Sequence, residues 1–271
     1  MGMNILAYQI VNEYRNLNEV IAVAIGGSGA SGRKDNFSDI NIYIITKEHI
    51  SLETRKRIVG KLSDEKEINN TIWGDTDEFI LRNSDIQIDI SYFDISWLKG
   101  TLDNILYNYS AELGYSTCFW YNVINSMIIY DRDNTFKKFQ KEYTIDFPFE
   151  LKRNIIIKNY PILKDNLSSY YNKIEKAIKR GDIISINNRV SAFIDSYFDI
   201  IFAINEMPHP GKNKLISIVE NKCNKKPEEF SNNLSTLLNY SNNCNEIILE
   251  SIDNILESLK KLLKEEGLEE K

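Results

Sequence analysis

The chain has 271 residues, 42% of them hydrophobic and 27% charged, with a net charge of −6. That length suits one large domain or two smaller ones with a substantial core, and the acidic balance argues against a general binder of nucleic-acid backbones. The three cysteines (Cys118, Cys223, Cys244) and two histidines (His49, His209) fall in no metal-ligand spacing, so neither a zinc framework nor a disulfide scaffold is expected.

The first element in chain order is a helix over residues 4–18, where Ile5, Leu6, Ile10, Val11, Tyr14 and Leu17 recur at helical spacing. The N-terminal stretch carries no basic start or cleavage signal, and no apolar run is long enough to span a bilayer. The expectation is a cytoplasmic protein without a membrane partner. "VIAVAIGG" follows as a buried strand stopped by glycines. "DINIYIIT" then alternates, with Asp39, Asn41 and Tyr43 on one face and Ile40, Ile42 and Ile44 on the other. Residues 51–68 have the pattern of a helix. "DIQIDISYF" repeats the alternation, Gln87, Asp89 and Ser91 opposite Ile86, Ile88 and Ile90.

Near residue 146 the texture changes. Phe147-Pro148 marks a break, and helical segments follow at roughly 149–158, 161–180, 183–206, 212–222, 227–240 and 243–265. "EMPHPG" at 206–211 is a sharp interruption, because its prolines remove donors and fix φ while its glycine permits a turn. The expected fold class is α+β: a small mixed sheet with helices over residues 1–145, then an all-α helical bundle over 146–271.

The chemistry concentrates on the polar strand faces. Asp39 and Asn41 project from one side of one strand, about 7 Å apart, and Asp89 stands on the polar side of another. If the strands are neighbours, the three residues meet. Clustered carboxylates repel unless a cation offsets them, and a hard cation such as Mg²⁺ suits oxygen donors completed by substrate phosphate. Two such ions suit in-line phosphoryl or nucleotidyl transfer. The turn Gly26-Gly27-Ser28 supplies close backbone approach, N–H groups and a hydroxyl for phosphate. It matches neither the P-loop nor the dinucleotide fingerprint.

These residues carry a resemblance. "GGSGASGRKDNFSDINIYI" resembles the Gly-Ser loop and Asp-x-Asp strand of the DNA polymerase β-like nucleotidyltransferase superfamily, and Asp89 in "IQIDISYF" matches its third carboxylate. The later stretches "GYSTCFWYNVINSMIIYDRD" and "AIKRGDIISINNRVSAFIDSYFDIIFAINEMPHPGK" are similar to a bacterial branch of nucleotidyltransferase-domain proteins. Its layout is that of the aminoglycoside and lincosamide nucleotidyltransferases. The resemblance implies a catalytic domain followed by a helical domain, with the site in a cleft between them. It also implies transfer of a nucleoside monophosphate from an NTP, with ATP the expected one, to a hydroxyl of a small molecule, with Mg²⁺ as cofactor. Carried over, Gly27 and Ser28 would hold the phosphates, Asp39 would ligate metal and Asp89 would help activate the acceptor hydroxyl. Lys158 would reach the triphosphate from the second domain, though a surface lysine is the simpler alternative.

The departure is Asn41, where the superfamily has a metal-bridging acid. A neutral amide there weakens the expected Mg²⁺ site, as natural decay or an engineered, shape-preserving Asp-to-Asn change would. Two other readings therefore stay open: a catalytically weakened nucleotide-binding protein, and a transferase acting on a protein or tRNA, the latter disfavoured by net charge. Elsewhere, Arg33 is a loop cation that could touch phosphate. Asp195 and Asp199, four apart on one helix face, either pair within the apolar segment that also holds Arg189 or face an acceptor. His209 is expected in a loop, and Trp73, Trp97, Trp120 and Tyr121 in the core.

Overall fold

The computed structural model describes residues 3–26, 39–71 and 74–268, with side chains from residue 8 onward. Contacts divide the chain into two compact units. One comprises residues 1–103 and 120–145; the other comprises 104–119 and 146–271.

The first unit is a mixed sheet with helices. Its elements are α1 (Met3–Tyr14), β1 (Val20–Ile25), β2 (Ile40–Thr46), α2 (Leu52–Leu62), β3 (Lys66–Asn70), β4 (Thr76–Ile80) and β5 (Gln87–Asp94). Then come α3 (Ile95–Leu106), α4 (Cys118–Asn125), β6 (Met127–Asp131) and α5 (Thr135–Tyr143). The six strands run in the order β3-β4-β5-β2-β1-β6. Only β2 and β5 are parallel; the other neighbours are antiparallel. Period-2 alternation explains the faces. Ile40, Ile42, Ile44, Ile88, Ile90 and Phe79 turn inward to join Ile10, Val11, Tyr14, Ile58 and Val59 of α1 and α2 in one core. Strand β1 is buried throughout, so its second face uses the small Ala22 and Ala24.

The helix expected over 51–68 is shorter. It starts at a Ser51 cap whose side chain accepts from the Thr54 amide, and it ends at Leu62. Ser63 Oγ then reaches the carbonyls of Glu65 and Ile80, which ties the chain to β4 and turns 66–70 into an edge strand. Arg55 secures the same strand. Buried in α2, it meets both oxygens of buried Asp77 at 2.5 and 3.0 Å, and the Tyr92 hydroxyl also donates to Asp77, at 2.7 Å. A buried bidentate pair with every lone pair answered fixes register well.

The second unit is helical: α6 (Phe149–Leu163), α7 (Tyr170–Arg180), α8 (Ile183–Ile204), α9 (Leu215–Lys222), α10 (Phe230–Tyr240) and α11 (Ile247–Glu265). Its core gathers around α8, which is buried from Ser196 to Ile204. Helix α6 runs through Pro161, so the break expected after 158 falls instead at 164–169. Pro161 has no N–H for the Ile157 carbonyl, so the helix passes it at the loss of one ladder bond, and Ser169 caps the next helix by accepting from the Asn172 amide. Residues 104–119 sort with this helical unit, although the boundary expected from sequence places them in the N-terminal part. The physical reason is a set of buried hydrogen bonds to α6 and α8, given below.

Candidate functional site

Strand register brings three of the polar residues into one line. In the parallel pair Asn41 lies opposite Asp89, and in the adjacent antiparallel pair Asp89 lies opposite Glu78. Neighbouring strands are about 4.8 Å apart, so β2, β5 and β4 present Asn41, Asp89 and Glu78 side by side. Asp39 immediately precedes β2 and is exposed; the other three are half-buried. Asp39, Asn41 and Asp89 are thus placed together, because β2 and β5 are neighbours in the sheet. Glu78 is an addition that the sequence reading missed. Its signal was the alternation in "TDEFI", where Asp77 and Phe79 are buried and Glu78 is not.

The line is electrostatically loaded. Burial pushes the Asp89 carboxyl above the ordinary range and the Asp39 charge adds to this, while a 3.0 Å hydrogen bond from Gln87 Nε2 opposes it. Glu78 is raised by burial first, then by Asp89, Glu67 and Asp39, against a 3.1 Å bond from Asn70. The hydrogen-bond donors that reach these two carboxylates are neutral amides. Among the described residues no three Asp, Glu, His or Cys side chains converge tightly enough to hold a metal by themselves. Mg²⁺ in phosphoryl-transfer sites needs less: one or two carboxylates, with substrate phosphate and water completing the octahedron. Asp39 and Asp89, hard oxygen donors that repel one another, fit that requirement, and Asn41 contributes a neutral amide oxygen.

The glycine turn emerges beside this line. Gly26 donates its N–H to the Asn41 carbonyl at 2.9 Å. A Cβ at Gly26 would lie 2.1 Å from the Tyr43 ring, so only glycine fits. Gly27, Ser28 and Arg33 themselves lie outside the described residues, as does Trp73.

Beyond the carboxylates the same sheet face turns aromatic. Tyr43, two residues on from Asn41, meets Phe93 edge-on at 5.4 Å between ring centroids. Phe93 in turn stacks on Trp97 at 5.9 Å with the planes 5° apart. Trp97 is 54% exposed, contrary to the expectation of a core residue, whereas Trp120 is fully buried with its indole N–H on the Tyr143 carbonyl at 2.8 Å. The difference lies in helix phase. In α3 it is Leu98 and Leu102 that turn inward, which leaves Trp97 on the outer side.

Residues singled out in the helical unit have structural partners there. Lys158 donates to the Ala111 carbonyl and pairs with Glu112 at 3.2 Å. Asp199 is buried and accepts from the Ser116 amide (3.1 Å), the Ser116 hydroxyl (2.6 Å) and Asn159 Nδ2 (3.4 Å). Burial raises its carboxyl to about 7, opposed by the Ser116 bonds. Asp195 accepts from the Tyr115 hydroxyl, and Asn159 Oδ1 accepts from the Gly114 amide at 3.0 Å. The two aspartates therefore fasten the 112–116 turn; among the described residues no buried cation is paired with them. His209 is also buried, between the rings of Tyr115 and Phe202, and burial lowers it to about 3. It stands in a loop, as expected, but in a buried one.

No protein-family model matches the chain, and neither does any curated protein. Among solved structures, the chain is similar to a nucleotidyltransferase-like protein from Exiguobacterium sibiricum 255-15, at 13% identity over 98% of this chain and 76% of that one, with a TM-score of 0.45. It is also similar to spectinomycin adenyltransferase AAD(9) from Enterococcus faecialis, whose structure contains ATP and spectinomycin, at 15% identity over 94% and 99% of the two chains, with a TM-score of 0.30. Neither likeness assigns a role to any residue here. Among the described residues, no helix is long and apolar enough to cross a membrane.

Proposed function

We propose that the first unit carries a metal-dependent nucleotidyltransferase site, moving a nucleoside monophosphate from an NTP to an acceptor hydroxyl. The observation that carries this reading is the register line of Asn41, Asp89 and Glu78 with Asp39 at its end. Crowded carboxylates on a half-open sheet face, beside a glycine-rich turn, suit a cation and a triphosphate.

In this reading Asp39 and Asp89, helped by the Asn41 amide oxygen, would hold Mg²⁺, while Gly27 and Ser28 would cradle the β- and γ-phosphates. The acceptor oxygen bonds to the α-phosphorus as the bond to the pyrophosphate oxygen breaks. The hydroxyl proton passes to an Asp89 oxygen, and pyrophosphate is the leaving group. Mg²⁺, as one ion or two, supplies charge neutralisation on the phosphates when bound. ATP as donor and a small hydroxyl-bearing acceptor of the aminoglycoside or lincosamide kind rest on the sequence resemblance.

A second reading, a weakened enzyme that keeps nucleotide affinity, is favoured by Asn41 itself. Glu78 bears on the choice, because it returns a third carboxylate to the line where position 41 has none. Calorimetry with Mg²⁺ and each NTP, with pyrophosphate release measured across an acceptor panel, separates the two. Asn41→Asp is expected to tighten Mg²⁺·NTP binding and raise turnover. If neither the natural chain nor Asn41→Asp binds any NTP, both readings fail.

A further inference from the structure

The aromatic file on the carboxylate face has no part in the chemistry just described. Tyr43 and Ser91 form the register pair next to Asn41 and Asp89, one two-residue step or about 7 Å along the strands. Phe93 lies one step further, on the same face as Asp89. Trp97 continues the file from the first turn of α3, its plane parallel to Phe93. The position is held from three sides. Asp94 Oδ1 accepts from the Ser96 and Trp97 amides at 2.8 and 2.9 Å, which caps the helix. Leu98 beside it is fully buried, and Phe93 is braced by Tyr43.

An indole that is more than half exposed yet fixed by a cap and a ring stack offers a rigid flat surface. We propose that Phe93 and Trp97 form the platform on which the base of the nucleotide stacks. This rests on the proposed nucleotidyl transfer. Of the reactants in that reaction, only the base is necessarily planar and aromatic, and the α-phosphorus at the carboxylate line starts a nucleoside that extends along the sheet face towards the rings. Stacking on aromatic faces is tolerant of base identity and strongest for large rings. The platform therefore selects purine over pyrimidine nucleotides by stacking area.

The test compares the natural chain with Trp97→Ala and Trp97→Phe, by calorimetry in Mg²⁺ with ATP, CTP and inorganic tripolyphosphate. Tryptophan fluorescence follows the same titrations. Trp97→Ala should weaken ATP about tenfold or more, the range of one lost base–aromatic contact, while tripolyphosphate binds as before. Trp97→Phe should recover most of the ATP affinity, CTP should bind more weakly than ATP to the natural chain with the gap narrowed in Trp97→Ala, and ATP should quench a fluorescence component absent from both variants. Retained tripolyphosphate binding shows that the variants are folded. The inference is overturned if Trp97→Ala leaves ATP affinity unchanged, or if ATP and tripolyphosphate weaken together. Quenching by a ring-bearing acceptor but not by ATP overturns it too. Failure of the natural chain to bind either ATP or tripolyphosphate is a different result: it removes the nucleotidyltransferase reading itself.

Discussion

The two units each hold aspartates among apolar residues, and they treat them in opposite ways. On the sheet, Asp89 receives one amide donor and faces the charges of Asp39 and Glu78. In the helical unit, Asp199 receives a backbone amide, a hydroxyl and a side-chain amide; burial alone displaces its carboxyl, whereas burial acts first on Asp89 and the Asp39 charge adds to it. A carboxylate surrounded by donors holds a chain segment in place. One crowded by other carboxylates is uncomfortable until a cation arrives. The difference separates a structural acid from a candidate functional one without reference to any relative.

Three substitutions press on that contrast. The largest effect is expected at the sheet: Asp89→Asn should reduce pyrophosphate release by two to three orders of magnitude, roughly what loss of a metal-binding proton acceptor entails. It should leave the melting temperature unchanged or higher, because like-charge repulsion is relieved. A large drop in melting temperature instead would make Asp89 a structural residue like Asp199. Next, Asp199→Ala should lose about 1–3 kcal/mol in denaturant unfolding near pH 4, since the Ser116 amide is left buried without an acceptor, whereas the Ser116 hydroxyl keeps the Glu112 carbonyl and Asn159 Nδ2 keeps the Glu112 and Ile155 carbonyls. The third effect is one of pH. The folded carboxyl of Asp199 sits near 7 against an unfolded value of 3.8, so between roughly pH 4 and 7 the folded chain holds a proton that the unfolded chain has released. Its contribution makes stability fall as pH rises through that window, by at most about 1.4 kcal/mol per pH unit. Asp199→Asn keeps an acceptor for the Ser116 amide, and the Ser116 hydroxyl already donates to the Glu112 carbonyl at 3.2 Å. That variant should match the natural chain near pH 4 and exceed it above pH 7. A difference that does not change with pH would show that Asp199 carries no proton in the window.

Local pattern carried a good part of the molecule. The alternation in "DINIYIIT" and "DIQIDISYF" placed Asp39, Asn41 and Asp89 on polar strand faces, because side chains in an extended chain must alternate. Apolar spacing likewise revealed most helices of the second unit. Glu78 escaped because the 51–68 segment has helical composition to its end, and only the Ser63 hydrogen bonds to Ile80 and Glu65 stop the helix and commit 66–80 to a hairpin. Residues 104–119 escaped for a similar reason. Their allegiance is decided by Asn159 and Asp199, more than 40 residues away along the chain.

The sequence alone therefore determined which side chains share a strand face or a helix face, together with the glycine turn and the neutral residue at position 41. Those depend on backbone geometry within a few residues. Tertiary structure decided that β5 lies parallel to β2, that Asn41 rather than Asp39 stands opposite Asp89, and that Glu78 and the Tyr43–Phe93–Trp97 file complete the face. Strand neighbours and register are set by which distant apolar faces bury one another and which backbone groups then pair, and no local window of sequence contains both partners.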